Sequence, residues 1–340
     1  MVSLTINGQR VEVEPETTIL LAAEKLGYFI PTFCYDPGLS LTGTCGMCVV
    51  QVENADTLMA SCNTPVTDGM VVYTDTEQIH AARREVLHNL RTGHPLDCLT
   101  CEKNGDCSLQ DYCYLYGIFQ IDYSDYKSKY ELEDTNPFFI RDMNKCVKCG
   151  LCVRTCHEIN GAEAVNLVSP DSHSEPPVFE ELSCVFCGMC VDICPVGALI
   201  PKQIVGKGRT WELNRVKTVC PYCGVGCGLE LHVKGNKVMN VKGDVTSPVS
   251  RGQTCVKGRF GFDFLDSPRR LTSPLIRKNG ELVESTWDEA LSLVAEKLKQ
   301  VKGAELAGLA SARVTNEDNY LFQKLIRTLG SNNVDHCARL

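Results

Sequence analysis

The segment CVKCGLCVRTC occupies residues 146–156, and a second segment with the same cysteine spacing, CVFCGMCVDICP, occupies residues 184–195. Both are C-x2-C-x2-C-x3-C runs, and together they form an internal repeat. Three closely spaced thiols can bind three corners of a cubic [4Fe–4S] cluster, and in two-cluster ferredoxins the fourth thiol of each run binds the other cluster. Zinc, the alternative, prefers two C-x2-C pairs around one ion, which leaves the third thiol of each run without a role. We therefore predict two clusters, one bound by Cys146, Cys149, Cys152 and Cys194, the other by Cys184, Cys187, Cys190 and Cys156.

The cysteine content limits where the protein works. The chain has 21 cysteines in 340 residues, and its length predicts two or three domains. A secreted disulfide framework is the alternative, but the count is odd, the thiols come in C-x2-C steps, and the start MVSLTINGQRVEVE lacks a signal-peptide pattern. We expect a reducing, cytoplasmic compartment and metal-bound thiolates.

Charge and hydropathy exclude two classes of partner. The formal net charge is −8, which argues against nucleic acid as a partner. The sequence contains no apolar run of about 18 residues, so no membrane span is expected.

Residues 1–76 combine a hairpin, a helix and four cysteines. The alternating pattern around Asn7 and Gly8 predicts a β-hairpin, and TILLAAEKLGYFIP predicts a helix that ends near Gly27. The cysteines that follow are Cys34, Cys45, Cys48 and Cys62. Because glycines flank the two central thiols, the backbone can fold closely around a [2Fe–2S] cluster; zinc is the alternative. The stretch resembles the β-grasp ferredoxin domain that opens the large iron–sulfur subunit of respiratory NADH dehydrogenase and many [FeFe]-hydrogenases.

Residues 77–136 contain an amphipathic helix, predicted over residues 77–93, and then an H-x3-C-x2-C-x5-C pattern. Its candidate ligands are His94, Cys98, Cys101 and Cys107. The pattern resembles the one-histidine, three-cysteine [4Fe–4S] module of the same two families. A neutral imidazole makes such a site less negative and alters its potential. Cys113 is expected to be a buried thiol, and the aromatic residues after it to pack between cluster domains.

The two-cluster ferredoxin domain is expected at residues 137–206, and a further module follows at residues 215–267. Its four candidate ligands are Cys220, Cys223, Cys227 and Cys255. They fit a fourth [4Fe–4S] cluster, with zinc as the alternative. This stretch closely resembles the first domain of the molybdopterin oxidoreductases, which include formate dehydrogenases and nitrate reductases. In that family a lysine two positions after the last cluster cysteine assists electron passage between cluster and pterin; here that position is Lys257.

Residues 268–340 predict the start of a molybdopterin-binding α/β domain. Thr286 is expected to cap a helix of about twelve residues, with Glu289 completing a capping box, before a strand–helix–strand unit. The ending NVDHCARL resembles formate dehydrogenase catalytic subunits, in which the next residue is the molybdenum or tungsten ligand, a cysteine or selenocysteine. No catalytic residue is therefore expected up to Leu340. Cys337 is a candidate substitute ligand, although a structural thiol is the preferred interpretation.

The end of the sequence suggests an unread UGA codon for selenocysteine; a deliberately cut chain or a short natural electron carrier are the alternatives. The last βαβ unit would lack its sheet neighbours, so residues 268–340 are expected to be poorly ordered or to rest against a partner. Molybdenum and tungsten are expected to be absent from these 340 residues.

Together these patterns predict a multidomain α+β iron–sulfur protein with one [2Fe–2S] and four [4Fe–4S] clusters. A molybdenum or tungsten bis-molybdopterin guanine dinucleotide is expected only in the full-length protein. The resemblance implies the electron-transfer half of a cytosolic formate dehydrogenase. Its expected partners are flavin- and NAD(P)-binding diaphorase-like subunits, with an [FeFe]-hydrogenase or a ferredoxin as further candidates.

Two other functions compete with this interpretation. One is a non-catalytic electron-transfer subunit like the large subunit of NADH dehydrogenase. The other is an [FeFe]-hydrogenase, which shares residues 1–206 in outline but differs over residues 215–267.

Overall fold

The computed structural model describes residues 1–119, 128–169 and 175–336. The backbone divides into two compact units. The first comprises Met1–Val216, Leu231–Lys242 and Thr254–Val256, and the second comprises Lys217–Glu230, Gly243–Gln253 and Lys257–Leu340. Among the described helices, none is both long and apolar enough to cross a membrane.

The first part of the chain is a mixed five-stranded sheet with one helix. Its elements are β1 (Val2–Ile6), β2 (Gln9–Val13), α1 (Ile19–Lys25), β3 (Val49–Val52), β4 (Met59–Ala60) and β5 (Val71–Tyr73). The strand order is β2-β1-β5-β3-β4, with β1 antiparallel to β2 and parallel to β5. Asn7 and Gly8 take φ values of 48° and 82°, as a tight two-residue hairpin turn requires. The hairpin prediction is therefore confirmed.

Two helices follow the sheet. Helix α2 (Glu77–Thr92) begins after Thr76, whose side chain accepts a hydrogen bond from the Ile79 amide, and it matches the predicted amphipathic helix. Helix α3 (Ser108–Leu115) begins directly after Cys107.

The next part of the chain repeats one backbone pattern around its two cysteine runs. Its elements are β6 (Phe139–Arg141), α4 (Leu151–Arg154), β7 (Val165–Asn166), β8 (Val178–Phe179), α5 (Met189–Ile193) and β9 (Leu199–Pro201). Strand β6 pairs antiparallel with β9, and β7 with β8. Lys148 and Gly150 have positive φ, and so do Phe186 and Gly188 at the equivalent positions of the second run. The internal repeat of the sequence is thus also a repeat of backbone conformation.

Residues 214–260 form a three-stranded sheet and a short helix. The elements are β10 (Asn214–Val219), β11 (Gly228–Lys234), β12 (Lys237–Gly243) and α6 (Val256–Phe260), and the strand order is β10-β11-β12. The chain turns at Gly235 and Asn236, both with positive φ. A Cβ at Gly243 would lie 1.8 Å from the carbonyl oxygen of Gly252, so this position has no room for a side chain.

The remaining described elements form a hairpin and a parallel strand–helix–strand unit. They are β13 (Leu275–Lys278), β14 (Glu281–Glu284), α7 (Trp287–Leu298), β15 (Gly308–Ala310), α8 (Asn316–Thr328) and β16 (Val334–His336). Thr286 caps α7 through the Glu289 amide, and β15 and β16 are parallel, as the sequence predicts. The apolar side chains of Trp287, Leu291 and Val294 on α7 are exposed.

Short helical turns complete the backbone. Five are 3-10 turns, at Met143–Lys145, Lys202–Ile204, Thr210–Glu212, Asp263–Asp266 and Gly303–Glu305. One is a π-helical turn that contains Cys156, at Thr155–Asn160.

Two hydrophobic cores lie in the first unit. The first fills the space between the five-stranded sheet and α1 and includes Leu4, Ile6 and Ile19. The second core brings together buried residues that are far apart in sequence, namely Phe33, Leu87, Leu109, Leu151 and Val196. Four cysteines are packed against it, namely Cys45, Cys107, Cys146 and Cys194. Candidate ligands from three sequence segments therefore share one core.

Candidate metal centres

The four cysteines between residues 34 and 62 converge on one buried site. The sulfur atoms of Cys48 and Cys62 lie 3.4 Å apart, and the thiol of Cys34 hydrogen-bonds with those of Cys45 and Cys62. Cys34, Cys48 and Cys62 are almost fully buried. The Phe33 amide donates to the Cys45 sulfur over 3.4 Å. This four-sulfur donor set fits a [2Fe–2S] cluster.

The thiols of this first site share their protons unequally. Hydrogen bonds from Cys45 and Cys62 hold the pKa of Cys34 far below its usual range, and a hydrogen bond from Cys62 lowers the pKa of Cys48 to about 7. The pKa values of Cys45 and Cys62 are raised, chiefly because each donates to Cys34. Thiolate, the form that binds metal, is therefore favoured at Cys34 and Cys48.

The eight cysteines of the two repeated runs line two cavities. The first cavity is lined by Cys146, Cys149, Cys152 and Cys194. The second is lined by Cys156, Cys184, Cys187 and Cys190. The fourth thiol of each run thus lies with the first three of the other run. The empty volumes are also nearly equal, at about 380 and 390 Å³, so the two cavities suit cofactors of one size.

Backbone amides point at the sulfurs of both runs. Lys148 donates to the sulfur of Cys146 over 3.3 Å, and Phe186 donates to that of Cys184 over 3.4 Å. The positive φ at Lys148 and Phe186 belongs to the same turns. The amide of Ala164 similarly donates to Cys156 over 3.3 Å. Such hydrogen bonds stabilise negative charge on a ligating sulfur.

Burial works against thiolate formation in these two cavities unless a cation is present. It raises the pKa of Cys146 to about 12 and takes those of Cys149 and Cys152 well above the usual range. A bound metal deprotonates a coordinating thiol outright. The Thr155 hydroxyl, which lines the second cavity, is buried and finds no hydrogen-bond partner within the described part of the chain. These features fit a cluster with sulfide acceptors.

His94 is prepared to act as a ligand. Its Nδ1 hydrogen-bonds with the carbonyl oxygen of Pro95 over 2.9 Å. Because a carbonyl can only accept, Nδ1 carries the proton and the lone pair lies on Nε2. That Nε2 is buried and has no hydrogen-bond partner among the described residues. Burial lowers the pKa of His94, which keeps the imidazole neutral.

The cysteines that accompany His94 are partly buried. Burial raises the pKa of Cys107 to about 11, and the neighbouring Cys101 charge adds to the shift. The pKa of Cys101 is also raised by burial, with a contribution from Cys98. Cys113 is buried, as expected, and burial raises its pKa to about 11.

The structure gives less support for joining the last four candidate ligands. Cys220 and Cys227 lie in one loop, closed by a hydrogen bond of 2.8 Å from the Cys220 amide to the Cys227 carbonyl. Cys220 is buried, whereas Cys223 and Cys255 are exposed. Lys257 is exposed on α6, and Cys337 lies outside the described residues.

No group of three or more His, Cys, Asp or Glu side chains in the described ranges is close enough to hold a single metal ion. The candidate sites are of another kind. The thiolates of a polynuclear cluster bind different irons, so their sulfurs need not meet at one point.

Sequence reasoning missed the buried cations beside these sites. Lys145 forms ion pairs with Asp97 at 2.6 Å and Asp142 at 3.2 Å. Asp97 directly precedes Cys98, and Lys145 directly precedes Cys146. Arg154 is also buried. The only signal in the sequence was the position of these residues inside or next to the cysteine motifs.

Comparison with known families identifies domains along most of the chain. The matching descriptions, in chain order, are the 2Fe-2S iron-sulfur cluster binding domain (1–77), the NADH-ubiquinone oxidoreductase-G iron-sulfur binding region (83–122), the NADH-quinone oxidoreductase subunit 3 ferredoxin-like domain (136–200), the Molybdopterin oxidoreductase Fe4S4 domain (213–267) and Molybdopterin oxidoreductase (270–340).

Curated relatives match the whole length of the chain. The NADH-quinone oxidoreductase G subunit 2 of Rhizobium meliloti is 41% identical over 344 residues, which cover 100% of this chain and 40% of the relative. NADPH-Fe(3+) oxidoreductase subunit alpha of Geobacter sulfurreducens is 40% identical over 350 residues, with the same coverage. A Staphylococcus haemolyticus protein named "Putative formate dehydrogenase" is 32% identical and covers 99% of this chain and 39% of its own length. The chain thus spans about 40% of the length of these relatives.

A solved structure agrees with these matches. A chain of an NAD+-reducing [NiFe]-hydrogenase, determined in the H2-reduced state, superimposes with a TM-score of 0.55 at 28% identity, and the match covers 62% of this chain and 91% of the hydrogenase chain. The protein is therefore a series of 2Fe-2S and 4Fe-4S iron–sulfur domains joined to molybdopterin oxidoreductase domains, similar to the G subunit of NADH-quinone oxidoreductase and its relatives.

Proposed function

We propose that this chain is the electron-transfer part of a cytosolic formate dehydrogenase, which interconverts formate and CO2. The observation that carries the electron-transfer role is the pair of equal cavities, each lined by four thiols drawn from both cysteine runs. Buried sulfurs and amides directed at them have no comparable use in a chain without clusters. The formate assignment is supported by the molybdopterin oxidoreductase matches and by the resemblance of NVDHCARL to formate dehydrogenases.

The proposed ligands fall into five sets. The [2Fe–2S] set is Cys34, Cys45, Cys48 and Cys62. The [4Fe–4S] sets are His94 with Cys98, Cys101 and Cys107; Cys146, Cys149, Cys152 and Cys194; Cys156, Cys184, Cys187 and Cys190; and Cys220, Cys223, Cys227 and Cys255. When bound, the clusters supply reversible one-electron acceptance and donation.

The side chains and amides of the protein hold these groups and set their environment. The Pro95 carbonyl fixes the tautomer of His94, and the Lys148 and Phe186 amides stabilise charge on sulfur. Lys257 is proposed to assist electron passage towards a pterin in the full-length protein. Partners that carry flavin and bind NAD(P) are proposed by analogy with the named relatives, and a ferredoxin or an [FeFe]-hydrogenase would serve the same chemistry.

The proposal is tested by iron and sulfide analysis with electron paramagnetic resonance (EPR) of anaerobically purified protein. We expect about 18 irons and 18 sulfides per chain, with one [2Fe–2S] signal and several [4Fe–4S] signals after reduction. Colourless protein that contains zinc in place of iron would refute it.

Single serine variants test the assignment of ligands to individual sites. Cys194→Ser and Cys146→Ser should perturb one EPR signal, and Cys156→Ser and Cys184→Ser should perturb a different one. Cys113→Ser is the matched control, because this buried thiol is outside every proposed set, and it should retain the full iron content. Perturbation of the same signal by Cys156→Ser and Cys146→Ser would contradict the crossed arrangement.

A second candidate is an electron-transfer subunit of an NAD(P)H-oxidising complex. The Rhizobium meliloti and Geobacter sulfurreducens relatives, at 41% and 40% identity, favour it. The two functions are separated by the donor that reduces the clusters of the full-length protein. Bleaching by formate without partners supports formate dehydrogenase. Bleaching by NAD(P)H with a flavin-bearing partner, but not by formate, supports the second candidate.

A further inference from the structure

Arg154 lies on α4 between Cys152 and Cys156, which line different cavities. Its buried guanidinium reaches back to the loop that begins at Cys34. One terminal nitrogen donates to the carbonyl oxygen of Cys34 and, over 3.5 Å, to that of Cys149. The other donates to the carbonyl oxygen of Ser40. One side chain thus contacts the backbone of a candidate [2Fe–2S] ligand and of a candidate [4Fe–4S] ligand.

A second contact fixes the same loop. The carboxylate of Glu158 accepts hydrogen bonds from the amide and the hydroxyl of Ser40, over 2.8 and 2.5 Å. Ser40 is therefore held from both sides by the segment that follows Cys152. The two sets of thiols also interact: burial raises the pKa of Cys149, and the charge of Cys34 is among the further causes.

The charge of Arg154 has a defined electrical consequence. A guanidinium stays protonated at every pH at which a protein is folded. Reduction adds one negative charge to a cluster, and a cation buried nearby stabilises that charge more strongly than it would in water. A cation shared by two sites should raise the reduction potential of both, because net charge and hydrogen bonding are what tune such potentials.

We propose that Arg154 is a positioning residue that raises the reduction potentials of the Cys34–Cys62 site and of the site lined by Cys149 together, and holds their separation fixed. The inference rests on the cluster binding proposed above. No atom is transferred: each site takes one electron from an added chemical reductant, and the guanidinium offsets part of the charge that arrives.

Arg83 provides a matched control within the same unit. It is buried on α2 and donates to the carbonyl oxygens of Met47 and Val49 over 3.0 and 2.9 Å. Both carbonyls flank Cys48, a candidate [2Fe–2S] ligand. Its third hydrogen bond, of 2.9 Å, goes to the hydroxyl of Tyr116. Arg83 therefore has the charge and burial of Arg154 but contacts the backbone of the first site alone.

The test is an EPR-monitored redox titration of the full chain, purified anaerobically with its clusters, with dithionite as reductant. In Arg154→Gln we expect the equilibrium constant for reduction to fall about tenfold at both sites, which is about 59 mV for one electron. Arg154→Lys keeps the charge and should restore both potentials to within about threefold. Arg83→Gln should lower the [2Fe–2S] potential and leave the [4Fe–4S] potential unchanged.

Each other outcome overturns the inference. Iron-replete Arg154→Gln with unchanged potentials, or with one potential lowered, removes the shared role. Arg154→Lys as low as Arg154→Gln shows that shape and not charge matters. If Arg154→Gln does not retain its iron, Arg154→His replaces it, and both potentials must then fall as the imidazole loses its proton with rising pH. Absence of iron from the wild-type protein would instead refute the cluster proposal itself.

Discussion

His94 and His88 lie within one short stretch of sequence but in different environments. His88 is exposed on α2, where water solvates both ring nitrogens. His94 is buried, with Nδ1 bonded to the Pro95 carbonyl and Nε2 unpartnered among the described residues. A buried nitrogen without a partner costs about 1–3 kcal/mol, so a ligand at Nε2 would remove a penalty that the fold otherwise carries.

Substitution of His94 should change one cluster in a residue-specific way. We expect His94→Ala to lose about four irons per chain, since one ligand is missing. His94→Cys should retain the iron and shift that cluster to a lower potential, because a thiolate adds a negative charge that the neutral imidazole lacks. Iron content and EPR-monitored potential measure both effects.

His88→Ala is the control and should change neither iron content nor potential. Full iron in His94→Ala would show that this imidazole is not a ligand.

Spacing in the sequence predicts ligands better than it predicts the residues that tune them. Thiols at fixed short steps are read directly, because a cluster demands that spacing. Arg154 acts across 120 residues of sequence, on the carbonyl of Cys34, and Lys145 pairs with Asp97. Backbone carbonyls have no residue-type signature, so such contacts emerge only when distant segments are packed together.

At the scale of elements, two cysteine-bearing loops of the first unit meet at Gly197. This residue is buried two positions before β9, and a Cβ built on it would lie 2.6 Å from the sulfur of Cys101. The same Cβ would lie 3.4 Å from Lys103. The loop after Cys194 can approach the Cys98–Cys107 loop this closely only because position 197 has no side chain.

Gly197→Ala should therefore disturb the His94 site from a distance. Overpacking of this kind costs about 1–3 kcal/mol, and displacement of the Cys101 sulfur should weaken that cluster. We expect a lower free energy of unfolding in denaturant titrations and a broadened or diminished EPR signal from one [4Fe–4S] cluster.

Gly93→Ala is the matched control for Gly197→Ala, because no described atom lies within 4 Å of its added Cβ and its φ is ordinary. It should leave the EPR spectrum intact. Equal effects of the two substitutions would mean that contact with Cys101 is not the cause.

Elements with strong local signals were predicted well, and elements that depend on their neighbours were not. Helix α7 begins after Thr286 and ends at Leu298, as its capping residues indicate. Strand β10 was not predicted, although it lies directly before Cys220. Each of its six residues is exposed, so it lacks the alternation of buried and exposed positions that marks a strand. It is a strand because β11 pairs with it.

On the scale of the whole molecule, the first unit depends on its candidate ligands for part of its interior. The second core has Cys34, Cys113 and Cys149 among its buried members. Two further cavities lined by thiols lie where apolar side chains would otherwise meet. A protein of this type folds around its metal, so binding free energy is part of its folding free energy.

Removal of iron should therefore unfold parts of the first unit selectively. After treatment with a chelator and an oxidant, we expect hydrogen exchange measured by mass spectrometry to show loss of protection at residues 143–156 and 184–199, which surround the two cavities. Strands β1 and β2 should keep more of their protection, because Leu4, Ile6 and Val11 belong to the first core, whose apolar contacts do not require metal. Reconstitution with iron and sulfide under anaerobic conditions is the control and should restore protection. Uniform protection before and after removal would show that the thiol-lined cavities are stable without a cofactor and that metal contributes little to the fold.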